Sequence, residues 1–321
     1  MMSEGKSGRS PRVGWVRRVG GVMSAVLAGW LPCAALAESA TQPAPRAAPV
    51  RIVSLSPHIT ELLFAIGAGD RLIGVDSFSD YPPQAKHIER VADVFAIDVE
   101  RLVTLKPDLV VYWKSGTPMR QQDQLKTLGL NLYGTEQRHL ADIQAALLDF
   151  GQLTGAQAQA RSAASQYESG LRDLRARYAN RAPLRVFYQV WDRPLYTLTG
   201  AHVVSEALSL CGARNVFSEL KGLAPVVETE AVLARNPDVV IIAAVGNEGR
   251  RQARAWESFA GLAAAHKHHI YMIEPDLLNR MTPRILQGID RLCRTLDQAR
   301  LRAPPAAANL RDSARSSVAR R

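Results

Sequence analysis

The sequence predicts an α/β protein of two similar lobes with mainly parallel sheets, joined by one long helix. Three observations carry that expectation. A helix, turn and strand segment occurs twice, short apolar strands alternate with helices in both halves, and residues 141–182 between them hold almost no strand signal. The duplicated segments are Glu100-Arg-Leu-Val-Thr-Leu-Lys-Pro107-Asp108-Leu-Val-Val and Glu230-Ala-Val-Leu-Ala-Arg-Asn-Pro237-Asp238-Val-Val-Ile, each with a glutamate seven residues before its Pro-Asp. A looser echo lies upstream of each: Glu61 with Gly67-Ala68, and Glu206 with Gly212-Ala213. A ligand of such a pair belongs between the lobes.

In chain order, the first half reads as strand 50–55, helix 59–67, strand 72–75, helix 99–105, strand 108–112, helix 120–128 and strand 130–133. Ala, Gln, Leu, Arg and Glu dominate the helical connector, which Gly151, Gly155 and Gly170 interrupt and Pro183 closes. The second half reads as strands 185–190, 237–243 and 269–273, with helices at 203–210, 228–235, 253–259 and 283–296. Short strands alternating with helices imply parallel sheets covered on both faces. The lobes are placed at 51–140 and 183–299, and a single rigid connector favours little closure motion.

The chain has 321 residues, is 47% hydrophobic and carries a formal charge of +10, a size and composition that fit one large core or two medium ones. That charge sits at the ends. Residues 1–37 hold five Lys/Arg and one acid, residues 300–321 hold six Arg and one acid, and the remainder is nearly balanced at 29 bases to 28 acids. No basic stripe with interleaved aromatics remains to suggest nucleic-acid binding.

Arg12, Arg17 and Arg18 precede an apolar run at 19–36 that ends in Ala35-Leu36-Ala37, the form of a cleaved export signal. The run is short for a membrane anchor and broken by Pro32, and Pro32 also stands where a lipidated Cys33 would need a small residue. Residues 38–50 then form a linker and 300–321 a disordered basic tail. Cleavage leaves Cys211 and Cys293, an even count in an oxidising compartment, which favours a disulfide over two separate buried thiols.

Several stretches together carry a family resemblance: Ser54-Leu-Ser-Pro57-His-Ile-Thr-Glu61, Ser79-Asp80-Tyr81-Pro82-Pro83-Gln84-Ala85, Leu105-Lys-Pro-Asp-Leu-Val, Tyr112-Trp113, Gln124-Leu125-Lys-Thr-Leu-Gly129, Arg185-Val-Phe and Met281-Thr-Pro283-Arg284-Ile. From about residue 51 to 298 the chain resembles the periplasmic vitamin B12-binding proteins of ABC importers, in the helical-backbone (class III) group of solute-binding proteins. Haem and siderophore carriers share that fold and stand as the alternative ligand classes.

A corrinoid is a large, flat ring edged with amides, so aromatic faces and a few hydrogen-bonding groups are the lining it needs. The resemblance implies ligand contacts at Tyr81, Trp113 and Tyr196, with Trp191 beside them, and a polar pair Asp276 and Arg280 over the ring. It departs from the family at Val94 and Ala224, where tryptophans are expected, and Phe95, next to the first gap, is counted among the expected ligand contacts. The same resemblance makes Glu100 and Glu230 the pair that docks onto a membrane permease dimer, since a twofold importer offers two identical basic pockets. As helix N-terminal acids they are also favoured by the helix dipole. The expected partners are thus a corrinoid and the permease dimer, with the carrier itself a monomer, the corrinoid as cargo and no cofactor.

Enzyme signatures are missing: there is no Gly-x-Ser-x-Gly, Walker loop or His-Glu-x-x-His. His266, His268 and His269 read as a solvated loop. His58 opens a helix beside the cleft; a gathering of His58, His139 and His202 from both lobes would suggest a zinc carrier, and a metal-dependent enzyme on a similar scaffold stands as the distant alternative.

Overall fold

The computed structural model describes residues 48–93 and 96–302. The expected export signal, most of the linker, Phe95 with Val94, and the tail beyond 302 lie outside the described residues. The first sheet consists of β1 (Ile52–Ser54), β2 (Leu72–Asp76), β3 (Arg90–Ala92), β4 (Leu109–Trp113) and β5 (Leu132–Thr135), all parallel in the order β3-β2-β1-β4-β5. Helices α1 (Pro57–Ala65), α2 (Val99–Thr104) and α3 (Met119–Thr127) connect them.

The second sheet repeats the plan. β6 (Leu184–Asp192), β9 (Val239–Ile242) and β10 (Ile270–Met272) are parallel, β8 (Ala213–Asn215) pairs in parallel with the start of β6, and β7 (Leu195–Thr197) turns back antiparallel to its end. Its helices are α6 (Val203–Leu210), α7 (Thr229–Arg235), α8 (Gly246–Glu257), the short α9 (Ala263–His266) and α10 (Pro275–Asn279), and the closing α11 (Ile285–Arg302).

Between the sheets lie α4 (Leu140–Thr154), which rests on α1, and the 22-residue α5 (Gln157–Tyr178), which reaches α6 and α11 of the second lobe. Of the three connector glycines only Gly155 breaks the helix, in the left-handed region at φ 73°. Gly151 instead lets α4 and α5 meet: a Cβ there would stand 2.3 Å from that of Ala160.

Strand alternation explains how both faces are covered. In β4, Leu109 and Val111 point to the connector side while Val110 points outward; in β9, Val239 and Ile241 face the connector and Val240 and Ile242 do not. The inward residues of both sheets join α1, α4, α5, α6 and α11 in one continuous core, with Leu62, Phe150, Tyr167, Tyr188 and Leu292 among its members. Cys211 at the end of α6 is disulfide-bonded to Cys293 of α11, which fixes the last helix to its lobe.

The sequence repeat is a structural repeat. Asp108 accepts the backbone N–H of Arg51 at 3.0 Å, and Asp238 accepts that of Arg185 at 3.0 Å, so each Pro-Asp pins the first strand of its own lobe. Helices α1 and α6 both end on a left-handed glycine, Gly67 at φ 77° and Gly212 at φ 70°. Differences from the sequence reading are local. The strands β3, β7 and β8 are too short and too mixed in pattern to stand out, and α8 starts at Gly246 rather than 253. His269 is buried beside Tyr271, not solvated.

Candidate functional site

The Ser-Leu-Ser-Pro-His-Ile-Thr-Glu stretch builds one wall of the cleft. Pro57 takes the first position of α1, where its missing N–H costs no helical bond. A buried chain runs from Ser54 Oγ to Thr60 Oγ1 (2.9 Å), on to Ser79 Oγ (2.8 Å) and to Asp76 Oδ1 (2.7 Å), tying α1 to the loop after β2. Arg90 braces that loop by donating to the carbonyls of Asp76 and Ser79, both at 2.9 Å. Burial pushes the Asp76 carboxyl above its ordinary range, against the lowering effect of the Ser79 hydrogen bond.

At the carboxyl end of β4 stands Trp113. Its ring lies against Gly116, where a Cβ would come within 1.8 Å of it, and its Nε1 donates to Glu136 at 3.3 Å. The imidazole of His58 meets it edge on at 5.2 Å and bonds Ser56 Oγ at 2.8 Å through Nδ1. Burial drives His58 down to about 3, with the charge of Arg280 adding to the shift. A buried imidazole packed behind Trp113 shapes that ring. Trp113, Leu55, Pro57, Phe78 and Pro118 surround an apolar cavity of about 260 Å³ in the first lobe.

The second lobe reaches this wall through two arginines. Arg280, following α10, donates to Glu61 (3.0 Å) and Asp80 (2.7 Å) and pairs with Asp276 (3.1 Å), while its Nη2 also meets the Phe78 carbonyl at 3.4 Å. Arg284 grips Glu61 through Nε (2.8 Å) and Nη2 (2.6 Å) and lays its guanidinium 3.7 Å from the ring centre of Tyr81. Glu61 is 3% exposed on its side chain, so its charge is compensated wholly by these partners. Burial resists ionisation of Asp80, but the hydrogen bond and charge of Arg280 outweigh it and hold that carboxyl below its usual range.

The expected contacts thus fall into groups. Trp113 lines the cavity; Tyr81, Asp276 and Arg280 belong to the charged cluster between the lobes; and Trp191 and Tyr196 sit opposite each other in the β6–β7 hairpin, Trp191 61% exposed. A separate cavity of about 380 Å³ lies in the second lobe beside that hairpin, with Gln189, Asp192, Arg251 and Trp256 in its lining. Glu100 and Glu230 are exposed in the first turns of α2 and α7, each just upstream of its Pro-Asp strand. His139 and His202 precede α4 and α6, and His202 Nδ1 accepts the Val204 N–H at 3.2 Å.

Three participants are not legible in the sequence. Phe78 is 53% exposed on the cavity rim, and an aromatic between two serines directly after a strand was its only signal. Glu61 and Arg284 were visible as parts of motifs, but nothing in either motif announces that they meet across 223 positions.

Comparison with known proteins agrees with this architecture. The sequence profile of a family described as periplasmic binding protein matches residues 52–277. A vitamin B12-binding protein of Vibrio cholerae is 37% identical over 243 residues, covering 76% of this chain and 87% of the relative. The crystal structure of the periplasmic vitamin B12 binding protein of Vibrio cholerae superposes with a TM-score of 0.73 at 36% identity, over 78% of this chain and 98% of that one. A periplasmic haem-binding protein of the same organism shares the fold alone, with a TM-score of 0.67 at 21% identity over 77% of this chain and 98% of that one.

Proposed function

The chain belongs to the periplasmic binding protein family, and from that premise we propose that it captures cobalamin or a related corrinoid in the cleft between its lobes and delivers it to an ABC importer. The observation that supports this ligand most directly is the wall at Trp113: an apolar cavity rimmed by Phe78 and Trp113, adjoining hydrogen-bonding groups contributed by the second lobe. A flat ring edged with amides needs that combination, and the relatives that match this chain over most of their length bear the name of the vitamin.

In this reading Trp113, Phe78 and Tyr81 offer aromatic surface from the first lobe, Trp191 and Tyr196 from the second, and Asp276 and Arg280 bond the ring edge. The cargo is bound without being converted. The protein works in the periplasm, exported by the signal at 1–37, and Glu100 and Glu230 meet the two permease subunits. Calorimetric titration with cyanocobalamin, paired with absorbance spectra, should give one site per chain and an unaltered ligand. Heat from haemin with none from any corrinoid would replace cobalamin by haem as the cargo, and turnover of the ligand would end the carrier reading.

A further inference from the structure

One face of the Tyr81 ring is covered by Arg284, whose guanidinium carbon lies 3.7 Å from the ring centre. At that separation only a nearly parallel stack keeps the guanidinium nitrogens clear of the ring, the arrangement in which a planar cation is held on an aromatic face. The plane of Arg284 is in turn set by Glu61, which accepts Nε at 2.8 Å and Nη2 at 2.6 Å on its two oxygens. Glu61 is itself anchored, buried in α1 beside the fully buried Leu62 and Leu63. Among the described residues no hydrogen bond and no second ring holds the Tyr81 side chain, so the stack is what fixes it. Tyr81 is 41% exposed, and with one face on Arg284 that exposure belongs to the opposite face and the ring edge.

Arg284 is turned away from solvent, 18% exposed on its side chain, with two of its nitrogens spent on Glu61. It is placed to support an aromatic contact rather than to make one. We propose that Arg284 is a positioning residue for the cargo: from the second lobe it holds Tyr81 of the first with its free face open, so that part of the ordering cost of a stacked contact is met before the ligand arrives. This rests on the corrinoid reading, in which Tyr81 offers aromatic surface, and assigns the residue that aims that surface. Arg280 also bonds Glu61, at 3.0 Å, so a change at Arg284 has a second route into the cleft, which the experiment must separate from the first.

Titration with cyanocobalamin compares the wild type, Tyr81→Ala, Arg284→Lys and the double variant. Lysine keeps a positive charge for Glu61 but loses the plane that stacks. Arg284→Lys should weaken binding roughly three- to thirtyfold, the range that a stacked cation spans, and in the Tyr81→Ala background the same change should cost less than about twofold. A role in stability alone, or one exerted through Arg280, would cost the same factor in both backgrounds. Tyr81→Phe keeps the stack, so there the Arg284→Lys loss should persist in full. Should Arg284→Lys not fold, Glu61→Gln/Arg284→Gln, which removes both charges together, takes its place with the same expectation. Wild-type affinity in the Arg284 variant or in Tyr81→Ala, or an equal loss with and without the Tyr81 ring, overturns the proposal and leaves the carrier reading standing. Absence of corrinoid binding by the wild type overturns the corrinoid reading, and this proposal with it.

Discussion

Arg284 closes a two-point contact on Glu61, Nε to Oε2 at 2.8 Å and Nη2 to Oε1 at 2.6 Å, between residues on opposite lobes. Removing one partner of such a buried pair leaves the other charge without compensation, which costs roughly 3–5 kcal/mol. Glu61→Gln should therefore lower unfolding stability by about that amount in urea denaturation, while Glu61→Gln combined with Arg284→Met should cost less than the two single changes summed. A Glu61→Gln protein as stable as the wild type would show that water already screens the pair.

Trp113 should act on binding through its ring. Trp113→Ala is expected to weaken corrinoid binding by roughly 1–3 kcal/mol, the scale for a large contact in a desolvated site. Gly116→Ala sets a methyl against the same ring and forces it to move. It should weaken binding as well, and tryptophan fluorescence should report the displacement. A folded Trp113→Ala protein with an unchanged dissociation constant would remove Trp113 from the site.

His58 gives stability a defined pH dependence. Its folded value near 3 lies below the ordinary 6.5, so between those limits the unfolded chain binds more protons than the folded one. Stability then falls as pH drops from about 6.5 toward 3, with a contribution approaching 1.4 kcal/mol per pH unit. His58→Gln should flatten the profile of unfolding free energy in that window. An identical slope in the variant would place the titration elsewhere.

Reversal of Glu100 and Glu230 to lysine should separate capture from delivery. Both are exposed and neither belongs to the charged cluster, so corrinoid affinity is expected to stay within about twofold while uptake by cells carrying the importer collapses. Each single reversal should lose part of the uptake. Normal uptake by the double variant would reduce the two glutamates to helix N-terminal acids.

Legibility in the sequence followed physical range. The Pro-Asp repeat was visible because its work is local: each aspartate pins a strand in the neighbouring register, and a Pro-Asp before an apolar run can be read from a dozen residues. The helices ending at Gly67 and Gly212 were legible for the same reason. The cluster was only half legible. Asp276 and Arg280 are four residues apart, while Glu61 and Asp80, the other partners of Arg280, are 219 and 200 positions away and come near only when the segment joining α10 to α11 meets α1 and the loop after β2. Phe78 is not legible, because a single aromatic carries no period.

The continuous core that runs from Leu62 through Phe150 and Tyr167 to Leu292 makes the two lobes one thermodynamic body. Calorimetric melting should give a single endotherm rather than one per sheet, and neither half expressed alone should fold. Solution scattering of the empty and loaded protein should yield nearly the same radius of gyration. The heat-capacity change on binding should then track only the ligand and cleft surface taken from water, with no term from lobes travelling together.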